Sequence, residues 1–380
     1  LAYFFTLLLA IYKFKRLNLY VLIWSAYSII TYMGYYCVKE NMHYSKDINL
    51  GYKLDIIPYI CAYFTIVLFT YPFYRMDERK INWNINIPQK IVKLIYFVGF
   101  LFIIQTIVNG VSAYIISQTI GFGEAYVRAH EGDYSNVIGN NLLNRILHYS
   151  EVLTNALQPF YVIYFFIQLK KKLNSFWKNV FMILLAFMPS IFSAIAGGSK
   201  GALFFTSLEI LFYYLLFRPS LSSNYNKKLT IMGSFIGTIM IFYVIIITVS
   251  RIETIHGVSA NSTQQQNEIV HYLGESYPNL GYFYYNKVYK HPNGKRFFPE
   301  FFADNPEDKY KYAGLDKKFE YWESKTHVPM ALFKTSWGDW YLEYGFWGSF
   351  IAIILIFIFF YKLWIKDYNK FYNIGIISFY

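Results

Sequence analysis

Charge is what this sequence has least of. Only 15% of its residues are charged, against about a quarter in a soluble chain of ordinary composition. The shortage excludes an ordinary soluble globular enzyme. Apolar runs of about 18 residues or more recur along the chain, each long enough to cross a bilayer as a helix. A soluble domain held by a single anchor is therefore excluded as well. Cysteine is nearly absent: Cys37 and Cys61 are the only two. Neither a disulfide framework nor a zinc site is suggested; both cysteines lie in or beside apolar segments, and a single bridge near one membrane face stays open. No repeat of 20–50 residues is visible, and the only low-complexity tract is "TQQQN" at Thr263–Asn267. No cleavable signal peptide is visible, and none is needed where a first span can target the chain. Aromatic residues make up 22%. Their abundance alongside Ile, Asn and Lys reads mainly as codon bias, with a share of the Tyr and Trp at the membrane interfaces.

What is present is an ordered series of apolar segments. Candidate spans cover 1–12 (partial), 17–37, 56–74, 91–119, 151–169, 178–196, 201–217, 229–249, 341–361 and 372–380 (partial). Lysine and arginine fall in every second connection. Lys13, Lys15 and Arg16 follow the first span, and Arg75, Arg79, Lys80, Lys90 and Lys93 the third. Lys170, Lys171, Lys172 and Lys178 follow the fifth, Arg218, Lys227 and Lys228 the seventh, and Lys362, Lys366 and Lys370 the ninth. Such alternation is the signature of loops retained on the cytoplasmic side. The net charge of +12 is therefore mostly a topology signal, and a nucleic-acid partner is not implied.

The other connections then face outward: 38–55, 121–150, the short tip 197–200, and 250–340. A structureless stretch of about 90 residues would be unusual, so 250–340 is expected to fold over the outer mouth with short helices. Within 121–150, Leu142, Leu143, Ile146 and Leu147 share one helical face, and Asn141, Asn144, Arg145 and His148 the other. This predicts an amphipathic helix lying in the outer interface.

The tip reads "SAIAGGSKGALFF", Ser193 to Phe205. Leaving Lys200 in lipid would cost about 3 kcal/mol or more. Three glycines and a serine predict a tight turn with exposed backbone N–H groups. Beside a lysine and a helix start, such a turn suits an anion; a plain turn whose lysine snorkels into water is the other reading. Arg128 and Arg145 lie in one outer segment, and Arg251 begins the other. Outer segments are depleted in Lys and Arg, so the few that remain point to a specific partner. A diphosphate at the membrane surface fits, since guanidinium groups pair bidentately with phosphate oxygens.

The "GGSKGALFF" tip, the large outer loop before the last complete span, and the exit "HVPMALFKTSWGDWYLEYGFWGSF" together resemble the bacterial oligosaccharide repeat-unit polymerases. These are the Wzy-type O-antigen and capsule polymerases, related to the O-antigen ligases. Many members carry Gly-Ser-Arg-Gly at the tip, where this chain has Lys200. Many open the span after the large loop with a stretch similar to "YLEYGFWG", Tyr341–Gly348. The resemblance implies an all-α, polytopic membrane helix bundle of about ten or more spans with a large, partly helical periplasmic loop, similar to the GT-C-like glycosyltransferases that use lipid-linked donors. The expected organisation is a bundle over 1–249 with the amphipathic outer segment 121–150, the loop 250–340, and C-terminal spans over 341–380.

The implied reaction joins undecaprenyl-diphosphate-linked oligosaccharide units at the periplasmic face of the inner membrane, with a chain-length regulator as a further partner. Charge builds on the leaving diphosphate, and fixed cations stabilise it. Arg251, Arg128 and Lys200 are the expected cations. Arg251 also reads as an interface anchor, and for Arg145 a headgroup contact serves equally well. A base should assist the attacking hydroxyl. All seven histidines fall in outer segments; His327, just before the exit motif, is first choice because the ligase relatives carry theirs there, and His256 and His130 follow. Asp339 and Glu343 flank the motif and could orient His327 or pair with an arginine. Metal-dependent relatives use acid-x-acid pairs; the first outer loop has none, and Glu131–Asp133 has that form only in a later one. No metal and no cofactor are expected. A flippase or other transporter stays open, against nearly charge-free spans and a large outer loop. So does an acyltransferase, against histidines confined to loops. A ligase-type transferase stays open too, although Val328, not Asn, follows His327.

Overall fold

The computed structural model describes residues 1–40, 55–75, 81, 83, 85–119, 121, 123–124, 141–256, 270, 274–285, 288, 290–297, 315–330 and 335–367, with the backbone alone at 141–148, 200, 251–256, 283–285, 315–318 and 363–367. Every regular element among them is helical. In chain order these are α1 (Ala2–Phe14), α2 (Leu19–Lys39), α3 (Ile57–Arg75), α4 (Gln89–Thr119), α5 (Asn141–Lys171), α6 (Phe176–Leu185), α7 (Met188–Ala196), α8 (Lys200–Phe217), α9 (Ser223–His256), α10 (Ser276–Asn279), α11 (Leu315–Thr326) and α12 (Ser336–Asp367). A 3₁₀ turn covers Arg218–Ser220, and a π-helical turn Leu280–Tyr285. Among the described residues seven helices are long and apolar enough to cross a membrane, or eight if α6 and α7 form one broken span. The chain is a multi-pass all-α membrane protein.

Its helices start and stop where local chemistry dictates. Asn18 Oδ1 accepts from Val21 N at 2.9 Å and Ser175 Oγ from Lys178 N at 3.2 Å, so α2 and α6 each have a side-chain N-cap. Lys15 and Lys172 take left-handed backbone where α1 and α5 end. The stretch expected as a single span over 178–196 is two helices bent by 41°. Pro189 explains the break, because it has no N–H for the Leu185 carbonyl and its ring crowds that turn. Asn109 Nδ2 of α4 donates to the Pro189 carbonyl at 3.1 Å and so braces the second half.

Two expectations about single elements change. The amphipathic segment after 140 is not a separate helix lying in the interface. Asn141 to Lys171 is one continuous helix, because neither Gly nor Pro interrupts it before Pro159. Arg251 does not begin a loop: α9 continues through it to His256. The first apolar stretch is helical over the 13 residues of α1, or about 20 Å at 1.5 Å per residue. The partial span 372–380 lies outside the described residues.

Two compact units follow from backbone proximity, and they do not run linearly along the chain. One comprises α1–α3, α10, α11 and α12 as far as Tyr361; the other comprises α4–α9. In the second unit a polar clasp joins α4 to α5. Gln105 Nε2 donates to Ser150 Oγ at 2.7 Å and Thr154 Oγ1 at 2.9 Å, and Thr154 Oγ1 donates back to Gln105 Oε1 at 3.0 Å. Between helices in lipid such bonds are worth about 0.6–2 kcal/mol. The first unit uses glycine for close approach. A Cβ on Gly274 would meet Gly34 N at 2.6 Å, so no other residue fits there without displacing backbone.

Candidate functional site

The "AGGSKG" tip is a compact helix-to-helix turn, as its glycines predicted. Gly198, at φ 56°, ends α7 in the left-handed region. Its N–H donates to the Ile195 carbonyl at 3.2 Å, and that of Ser199 to the Ala194 carbonyl at 2.8 Å. This double closure satisfies carbonyls that the helix end would otherwise orphan. Ser199 then caps α8, its Oγ accepting from Ala202 N at 3.4 Å, and Lys200 is the first residue of that helix. The backbone alone is described at Lys200, Arg145, Arg251 and His256. Arg145 sits in the first turns of α5, and Arg251 and His256 in the last turns of α9. Arg128 and His130 lie outside the described residues.

His327 ends α11. Its N–H donates to the Glu323 carbonyl at 2.8 Å, and its backbone is left-handed at φ 61°, a conformation that glycine adopts more cheaply than histidine. The flanking turn is firmly held. Thr326 Oγ1 donates to the Trp322 carbonyl at 2.7 Å, and Met330 N donates to Glu323 Oε1 at 2.6 Å. Trp322, Val328 and Met330 are buried in one apolar cluster with Trp337 and Leu342 of α12. The histidine side chain itself is exposed. A fixed turn thus presents an exposed imidazole a few residues before α12.

The exit motif "YLEYGFWG" is where the geometry is most elaborate. Helix α12 is broken at Gly345, with φ 68° and ψ −172°, a combination that only glycine adopts without strain. A break exposes carbonyls to be paired elsewhere, and His291–Arg296 supplies the donors. His291 Nδ1 bonds the Leu342 carbonyl at 2.9 Å; a carbonyl only accepts, so Nδ1 carries the proton. Asn293 N donates to the Glu343 carbonyl at 2.8 Å. Asn293 and Gly294 are both left-handed, at φ 57° and 92°. Successive residues of this kind curl their N–H groups toward an anion.

That anion is the Glu343 carboxylate, which is fully buried. Arg296 N donates to Oε1 at 3.1 Å and Arg296 Nε to Oε2 at 3.0 Å. The remaining edge of the guanidinium reaches Asp339 Oδ1 at 2.9 Å and the Asp339 carbonyl at 3.2 Å. Of the two roles open to Asp339 and Glu343, pairing with an arginine is the one observed, and the arginine is Arg296. Its side chain is 13% exposed and that of Asp339 40%, so Glu343 is the buried partner and Asp339 the wet one. Phe297 lies 4.5 Å from the guanidinium. It packs with Trp340 and Tyr344, which stack on each other at 5.9 Å. These three rings are partly exposed and form an aromatic rim around the latch that Arg296 makes with Glu343 and Asp339.

Sequence reasoning passed over His291 as one histidine among seven and did not consider Arg296. One signal was available: Asn-Gly at 293–294, a strong local indicator of tight-turn backbone. Nothing local indicates that this turn meets a helix break about 50 positions later. Glu209, inside the α8 span, is a further carboxylate the sequence reading did not single out. Among the described residues no group of three or more His, Cys, Asp or Glu side chains is arranged to hold a metal ion. Cys37 and Cys61 are free thiols. No family model, no curated protein and no solved structure matches this chain.

Proposed function

We propose that this protein is a membrane glycosyltransferase that polymerises undecaprenyl-diphosphate-linked oligosaccharide repeat units into O-antigen or capsular polysaccharide, working without a metal on the periplasmic side of the inner membrane. The observation that carries this reading is the exit motif. Its glutamate is fully buried and ion-paired, and its glycine breaks the span. The motif that resembles these polymerases is thus a built polar structure. The aromatic rim of Phe297, Trp340 and Tyr344 adds support, because the apolar faces of sugar rings stack on aromatic side chains.

In the proposed reaction a hydroxyl of the acceptor unit attacks the anomeric carbon of the donor. A new glycosidic C–O bond forms as the bond to the diphosphate breaks, and the diphosphate leaves with the electron pair. His327 takes the hydroxyl proton. Arg251, Lys200 and Arg128 hold the diphosphate, each well-placed donor lowering the barrier by about 3 kcal/mol; Arg145, His256 and His130 are secondary candidates. Arg296 is committed to Glu343 and Asp339, so it holds the site's shape and does not bind the leaving group.

The test is genetic and chemical together. A strain lacking the gene should accumulate single repeat units on the lipid carrier, and the wild-type gene should restore polymer. A deletion strain that still makes full-length polymer would end the proposal. Normal polymer that fails only to reach its final acceptor would favour the ligase reading. Activity of the purified protein should persist in EDTA, and activity lost there and restored by a divalent ion would overturn the metal-free scheme.

A further inference from the structure

Within the α4–α9 unit lies a cavity of about 380 Å³, lined by α5, α6, α8 and α9 and almost entirely apolar. Val180, Phe187, Leu211 and Tyr214 form much of its wall, with Gly233 and Gly237 on α9. The volume falls in the range of small-molecule sites. At Gly233 and at Gly237 an added Cβ would meet nothing within 4 Å. Residues four apart lie on one helical face, so the two glycines leave a trough along α9.

The rim of this trough indicates what fills it. On α5, α8 and α9 the cavity lies toward the basic end: Phe166 precedes Lys170, Tyr214 precedes Arg218, and Leu229 directly follows Lys227 and Lys228; on α6 the lining starts at Val180, two residues after Lys178, and runs on to Leu184. Lys178, Arg218, Lys227 and Lys228 are all exposed. No carboxylate among the described residues pairs with any of them. The rim is also held in place. Asn226 Nδ2 donates to the Arg218 carbonyl at 3.0 Å and the Leu221 carbonyl at 3.2 Å, fixing the α8–α9 turn. Lys228 Nζ lies 5.3 Å from the Phe176 ring of α6. An apolar trough beneath four unneutralised cations is complementary to an anionic head on a hydrocarbon tail.

We propose that this cavity holds an acyl chain of an anionic phospholipid, whose phosphate rests on Lys178, Arg218, Lys227 and Lys228. The site is distinct from the one proposed for glycosyl transfer. Lys200 begins α8 and Arg251 lies in the last turns of α9, at the ends of these helices opposite the cavity. The donor's diphosphate is therefore placed at the far end from this rim, and a polyprenyl tail in the cavity is an outcome that the experiment separates. A second copy of the chain is not docked across the two glycines, since that would bring like charges together.

The experiment uses the purified full chain in lipid nanodiscs, with a phosphatidylglycerol probe carrying a photoreactive group on its acyl chain and peptide mapping of the adducts. Adducts are expected on α9 between Leu229 and Met240. Lys227→Gln and Lys228→Gln should each reduce them about fivefold, the effect of about 1 kcal/mol per surface lysine. Gly237→Leu should abolish them by filling the trough, and Gly233→Leu serves if that variant fails to fold. Three results would overturn the proposal: equal labelling by a matched phosphatidylcholine probe, displacement of the label by polyprenyl phosphate, or a dimer that Gly237→Leu dissociates without any lipid adduct.

Discussion

Replacing Arg296 by methionine tests whether the latch holds the break in α12. The substitution keeps most of the side-chain volume and removes the guanidinium. Glu343, fully buried, would keep its backbone donors at Gly294 and Arg296 and lose its charged partner. Stranding a buried charge in this way costs about 3–5 kcal/mol. The bond to Asp339, whose side chain is 40% exposed, adds at most about 1 kcal/mol, because water already screens it. Nearly all of the loss should therefore trace to Glu343. The double variant Arg296→Met/Glu343→Leu removes both charges and should return to within about 2 kcal/mol of the wild type. Unfolding free energies in mixed micelles, followed by tryptophan fluorescence, would measure each corner of the cycle. A loss below 1 kcal/mol in the single variant, or a double variant no more stable than Arg296→Met, would refute the argument.

Three further outcomes are expected. His327→Gly relieves the left-handed backbone at this position and should still give folded protein, while polymer synthesis is lost; full-length polymer from this variant would remove His327 as the base. Gly345→Ala forces a side chain into positive φ and within 3.1 Å of His291 Nε2. It should cost about 2 kcal/mol or more and release the His291–Arg296 segment, which limited proteolysis would detect as new cleavage. Gly274→Ala would drive a methyl into the Met33–Gly34 backbone; greatly reduced yield of folded protein is expected, and a variant as stable as wild type in the same unfolding assay would show that the approach is not close.

How much was legible differed between fold and site. The Gly-Gly-Ser run fixed both the end of α7 and the cap of α8, because each closure uses donors within six residues. Pro189 marked the bend after α6 just as locally, although the span was read as one helix. The latch was not legible in this way. Glu343 and Asp339 were visible as acids beside a resembling motif, but their partner is more than 40 residues away, and the Asn-Gly turn beside it does not say what it meets. The amphipathic pattern around Leu142–Leu147 was real, yet periodicity alone does not say whether a helix stops or runs on into the next span.

The sequence by itself determined that this chain is helical, crosses a membrane repeatedly, and turns tightly at Gly197–Ser199. Each follows from apolar length or from backbone preferences within a few residues. Only the tertiary structure decided that α12 breaks at Gly345, that Arg296 and His291 fill the break, and that an apolar trough opens beside Gly233 and Gly237. Those features depend on carbonyls, charges and empty space contributed by segments far apart in the chain. Whether such groups meet is set by how the helices pack, and no local preference encodes it.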